Sequence, residues 1–146
     1  MINLHDPPPR RWIESTLAQH CVVPQIVDEL TDTELARRLV AVHPHFHYGT
    51  NASNRFAHGG WAYLTLGLDG DAWQLLAIIE RTGPRLLKMK NFPVPTAAAL
   101  IFIYAAMRLG KFDAARLGLQ LARLHRLTHT ERDDLDTLEA CLQAVA

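Results

Sequence analysis

The chain is predicted to be all-α: stacked antiparallel helical hairpins, with helices ahead of them at the N-terminus and a capping helix at the C-terminus. Three observations carry that expectation. Apolar residues recur at three- and four-residue spacing from Ile13 to Val145, period-two alternation is sustained nowhere, and two glycine-marked turns, at Gly67 and Gly110, break the helical pattern in the same way. At 146 residues the chain fits one domain, long enough to bury a core without metal or disulfide staples.

Pro7, Pro8 and Pro9 exclude helix, so residues 1–9 read as an extended lead-in. N-terminal helices fill 10–43. The first starts near Arg10 or Arg11 and sets Ile13, Leu17 and Cys21 on one face, and a short second one runs from Pro24 through Leu30. Thr31-Asp32-Thr33-Glu34 then has capping-box spacing, and Leu35, Leu39 and Val42 follow on one face until Pro44 ends the helix. Residues 44–53, rich in His, Gly, Thr, Asn and Ser, read as a loop, because such side chains compete for backbone hydrogen bonds.

Helices near 54–66 and 71–82 form a first hairpin within 54–84. A connector over 85–95 opens with a short helical turn and then extends, since Pro93 and Pro95 force that geometry on their neighbours. Helices near 96–109 and 112–126 form a second hairpin within 96–127. Thr128-His129-Thr130-Glu131 is a second capping box and opens the cap, 128–146, whose helix 129–145 has the stripe Leu135, Leu138, Leu142 and Val145, with Asp133, Asp134, Asp136 and Glu139 largely off it.

The two turns lie in YLTLGLDGDAWQLLAII at 63–79 and AMRLGKFDAARLGLQLA at 106–122. Gly67 and Gly110 suit the left-handed conformation that ends a helix, and Ala72 and Ala115, five residues later, let the paired helices approach. Phe56, Gly60, Tyr63, Ala72 and Pro84 fall at the opener, glycine, tyrosine, alanine and closing-proline places of a known 34-residue pattern. On these residues the stretch 54–127 resembles the tetratricopeptide repeat. The second unit keeps Gly110, Phe112, Asp113, Ala115 and Ala122 but has Ala99, Ile103, Ala106 and Leu127 at the opener, glycine, tyrosine and proline places. Gly59 takes the usual leucine place, and the turns are 43 residues apart, so 85–96 reads as an insertion.

The resemblance implies that the first helix of each hairpin lines a concave groove that takes another protein or peptide. Trp61, Leu64, Leu100, Tyr104 and Met107 would form it, with Asn54 and Arg108 at the rim. Aromatic anchors beside an adaptable methionine are the usual make-up of a protein-binding hot spot. Two readings of this face stand side by side: a groove open to a partner, or a seat for the N-terminal helices 11–42. A homodimer through the same face is a third expectation. Among bacteria, proteins resembling this family act as secretion chaperones, assembly adaptors and toxin-neutralising proteins.

Composition narrows the classes further. Fifteen Lys and Arg balance fifteen Asp and Glu, which removes the electrostatic footprint of a nucleic-acid binder. The first residues, MINLHDPPPRRW, lack the apolar run of a signal peptide, and the longest apolar run, Ala97 to Met107, is too short to span a bilayer. A cytoplasmic protein without membrane contact is expected. Cys21 and Cys141 lie at opposite ends with no CxxC spacing, and no G-x-S-x-G, phosphate-loop or dinucleotide fingerprint occurs.

No catalytic residue and no cofactor are therefore expected. The alternative rests on His43, His45 and His47, alternate positions that share a direction only in an extended strand, with His58 as a fourth ligand for a metal-dependent enzyme or sensor. Pro44 inside that run and the lack of any acidic residue between Glu34 and Asp69 favour a polar connector instead.

Overall fold

The computed structural model describes residues 3–4, 6–20, 29–42, 53–90 and 96–145, and among them every regular element is an α-helix. In chain order these are α1 (Arg11–His20), α2 (Asp32–Val42), α3 (Ser53–Thr65), α4 (Asp69–Lys88), α5 (Thr96–Arg108), α6 (Phe112–Ala122) and α7 (His129–Val145). Among the described residues no helix is long and apolar enough to cross a membrane.

Both capping boxes form as the sequence predicts. Thr31 Oγ1 accepts from the Glu34 amide while the Glu34 carboxylate accepts from the Thr31 amide, and Thr128 and Glu131 repeat the exchange at the start of α7. The two glycine turns are also alike. Gly67 and Gly110 share φ +74°, and after each the next amide reaches back to a carbonyl five residues earlier, Leu68 to Tyr63 and Lys111 to Ala106.

Helix α5 is the hub. Its residues Ala97 to Met107 are all buried, and it packs on α1, α3, α4, α6 and α7. Burying each of Leu100, Ile101, Phe102, Ile103 and Met107 contributes roughly 1.5–3 kcal/mol, so this one helix supplies a large share of the core's apolar stabilisation. Around it, α3 pairs with α4 and α5 with α6 across the short glycine turns, while α3 also packs on α5 and α4 on α6. Helix α2 packs on α3, and Arg10 ties the start of α1 to the approach to α2 by donating to the Leu30 carbonyl at 2.6 Å.

Close approach is set at glycines rather than only at the expected alanines. A Cβ on Gly118 of α6 would lie 2.7 Å from the Phe102 ring and 2.8 Å from Ile103, and one on Gly83 of α4 would lie 2.6 Å from Leu117. Ala115 is nevertheless fully buried, as a contact alanine should be, while nothing is described of the Ala72 side chain.

Two helix ends differ from expectation. The second helix of the first hairpin does not stop near residue 82 but runs through Pro84 to Lys88, taking the first part of the expected connector into the helix. Proline in a helix interior removes one hydrogen bond to the carbonyl four residues earlier. Here that carbonyl belongs to Glu80, and Glu80 and Pro84 are both exposed, so water can serve the group left over. Much of the 43-residue turn spacing is therefore a long helix. Helix α6 ends at Ala122 rather than 126, after which Thr96 Oγ1 and His125 Nδ1, 2.7 Å apart, tie the following turn to the start of α5. The short helix expected from Pro24 lies outside the described residues, apart from the turn at Glu29 and Leu30.

Candidate functional site

Five of the residues expected to line a groove, Trp61, Leu64, Leu100, Tyr104 and Met107, do gather in one cluster on α3 and α5, but every one of them is buried. Arg108 is half-buried with Nη1 3.4 Å from the Leu64 carbonyl, and Asn54 stands in the first turn of α3. Of the two readings of this face, the structure has the chain itself lying on it: α1 packs on both α3 and α5, and α2 packs on α3.

The lead-in adds to the cover that α1 provides. Trp61 Nε1 donates to the Pro8 carbonyl at 2.9 Å, and the Tyr104 hydroxyl lies 2.6 Å from the carbonyl oxygens of both Asn3 and Asp6, which share its single proton. Two helix-borne aromatic side chains thus bind three backbone carbonyls of the lead-in, which is not extended throughout as expected: the Asp6 amide donates to the Asn3 carbonyl at 3.0 Å, a turn that brings the two carbonyls together at Tyr104. Pro8 is buried, and Leu4 packs against the core. The Trp12 ring of α1 meets the Tyr104 ring edge-on at 5.6 Å, closing the site on one side.

A carboxylate holds the junction between the lead-in and α1. Asp134 of α7 accepts from the Arg11 guanidinium through both oxygens and from Trp12 Nε1 at 2.9 Å. Asp134 is itself buried, so these donors supply the partners that water gives an exposed carboxylate. Burial also pushes the Tyr104 hydroxyl up to about 12, with Arg108 pulling the other way and Asp6 and Cys141 adding to the rise. Tyr104 therefore stays protonated, and a donor, throughout the physiological range.

Between the lead-in and helices α5 and α7 a cleft of about 360 Å³ remains, lined by Asn3, Asp6, Pro7, Arg11, Tyr104 and Asp134 among others. The segment does not fill its seat. Sequence reasoning missed Asp134, which it set off the apolar stripe, although Asp134 stands one turn before Leu138 and two before Leu142, at stripe spacing. Asn3, Asp6 and Pro8 carried no such signal, because what they contribute is backbone carbonyls.

Of the four metal-ligand candidates, His43, His45 and His47 lie outside the described residues, and His58 is fully buried in α3. Among the described residues no group of three or more His, Cys, Asp or Glu side chains is placed to hold a metal ion. Comparison with protein-family models, with curated proteins and with solved structures gives no match.

Proposed function

We propose that this protein is a non-enzymatic polypeptide-binding module whose binding surface is the α3–α5 face that its own lead-in covers. One observation carries the reading: Trp61 and Tyr104 spend their donors on main-chain carbonyls of the lead-in, at Pro8 and at Asn3 and Asp6, the two ends of a turn, contacts that hold a chain with little regard for its side chains. Desolvated aromatic anchors at the centre of such a face are where binding energy concentrates.

The order of helix contacts supports a stack like that of tetratricopeptide repeats, since the first helices of the two hairpins touch each other and so do the second helices. A role as a chaperone, assembly adaptor or toxin-neutralising protein, in a cytoplasmic setting, fits such a module. The partner reaches the face by displacing residues 3–9.

The test is a titration of a fluorescein-labelled peptide of the first nine residues, MINLHDPPP, with the full chain carrying Pro7, Pro8 and Pro9 changed to Ala, which weakens the tethered competitor, read by anisotropy. Saturable binding that unlabelled peptide reverses is expected. No binding at millimolar concentrations of the folded variant would remove the face as a polypeptide site.

A further inference from the structure

The outer side of α4, turned away from the core, carries a chemistry that the α3–α5 face does not use. We infer that the C-terminal end of α4 docks an acidic segment of another polypeptide through Arg81, Arg85, Lys88, Met89 and Lys90. The inference goes beyond the α3–α5 reading and stands independently of it.

Arg81, Arg85 and Lys88 follow one another at steps of four and three residues, so they line one stripe of the helix, opposite the buried Ile79 and Gly83. All three are exposed, as is Lys90. The ion pairs of the described residues lie elsewhere, at Arg10, Arg11, Arg116, Arg123 and His129. Residues 77–90 contain one acidic residue, Glu80, and it lines a separate cleft with Lys111 and Asp113 at the start of α6. Four cations thus meet a single carboxylate here, in a chain whose fifteen cations and fifteen acids balance.

Cations in a last turn answer the partial negative charge of a helix end, which accounts for Arg85 and Lys88. Two features lie outside that account. Arg81 stands about two turns from the end, beyond the reach of that charge. Lys90 has φ +51°, the one positive φ outside glycine among the described residues. It holds the place after α4 that Gly67 holds after α3 and Gly110 after α5, and its amide likewise reaches the carbonyl three residues back. A side chain strains this conformation and glycine does not, so a glycine would serve the fold better. What the lysine adds is a fourth charge at the end of the stripe, and local strain of this kind points to a use.

Beside it Met89 is 60% exposed, the most exposed large apolar side chain among the described residues. An adaptable thioether among cations suits a segment that joins carboxylates to an apolar residue. Arginine forks pair with carboxylates through two bonds, and the stripe from Arg81 to Lys88 spans about 10 Å, the length of two helical turns of a partner. A nucleic acid or an anionic bilayer presents a wide array of charge, which so short a stripe engages at few points. The zero formal charge of the whole chain adds no attraction of longer range, and one methionine is too little apolar surface to enter a bilayer.

The experiment titrates the full chain into a fluorescein-labelled peptide, EELEELLEEL, at low ionic strength, with anisotropy as the readout. Saturable binding that weakens as salt rises is expected. Changing Arg81, Arg85 and Lys88 together to Gln should weaken it on the order of tenfold, the scale of three exposed ion pairs. Changing Arg37 and Arg38, exposed arginines of α2, to Gln should leave it unaltered. Lys90→Gly should weaken binding and raise the urea midpoint together, since it removes both the charge and the strain.

Equal losses in the α4 and α2 variants would reduce the binding to general electrostatics and overturn the site. The absence of saturable binding at millimolar concentrations of the chain would overturn it as well. A Lys90→Gly variant that is more stable and binds as before would overturn the role given to the strained lysine. Tighter binding of a labelled oligothymidylate or of phosphatidylserine vesicles, lost on the same α4 changes, would overturn the acidic polypeptide as the occupant.

Discussion

Residues 3–9 and helix α7 both lie against the hub helix α5, and they are held there by different physics. The lead-in is fixed by donors aimed at carbonyls, by one buried proline and by Leu4. Helix α7 is fixed by Leu135, Leu138 and Leu142, which are almost wholly buried against α5 and α6. Hydrogen bonds to carbonyls contribute modestly, because water offers the same partners when the segment leaves. Apolar burial has no such substitute. The first end is held largely by polar contacts, and the second is part of the apolar core.

Truncating the apolar side breaks the comparison at its strongest point. Leu138→Ala is expected to destabilise the whole fold by about 2–5 kcal/mol, the range for a fully buried leucine, as a lowered urea midpoint with an unchanged slope. A change confined to α7, with α3 to α6 still protected from hydrogen exchange, would mean that the cap is as detachable as the lead-in.

Removing the hydroxyl that serves the lead-in should have a smaller and more local effect. Tyr104→Phe is expected to cost about 1 kcal/mol and to speed hydrogen exchange and proteolysis in residues 3–9 while the helices keep their protection. Its pH dependence gives a sharper readout. The Tyr104 hydroxyl ionises near 12 in the folded protein and near 10 when unfolded, so its stabilisation is complete below pH 10 and is lost as pH rises from 10 to 12. Across that interval the unchanged protein should lose more stability than the Phe variant. Parallel curves would place Tyr104 in contact with solvent.

The smallest effect belongs to the exposed half of the Asp134 contact. Arg11 is about half exposed, with 51% of its side-chain surface accessible, so Arg11→Ala is expected to change stability by only a few tenths of a kcal/mol, as most solvent-facing ion pairs do. Trp12 Nε1 remains on the carboxylate in that variant. A loss of several kcal/mol in chemical denaturation would show that the guanidinium, rather than the indole, secures the junction.

How far these regions could be read in the sequence follows the same division. Period and capping chemistry are local, so the two capping boxes, the two glycine turns and the all-round burial of α5 were legible from residues within a turn or two of each other. The aromatic cluster was legible too, as an apolar face in need of a cover. Its cover by the N-terminal helices was legible as one of two readings, but the share of the lead-in was not, because the bonds from Tyr104 to the lead-in join residues 98 and 101 positions apart and use carbonyls that every residue carries. Pro84 misled in the opposite sense. It is a local breaker whose penalty is relieved on an exposed turn, and α4 runs through it.

Those long separations also order events during synthesis. The lead-in is made before the helices that hold it, and the contact of the adjoining Arg11 and Trp12 waits for Asp134, more than 120 residues later. At about 5–20 residues per second that delay is roughly 6–25 s. Tyr104 itself follows Asp6 by 98 residues, so for roughly 5–20 s of that interval a nascent chain carries Pro7-Pro8-Pro9 before the seat of Trp61 and Tyr104 is complete.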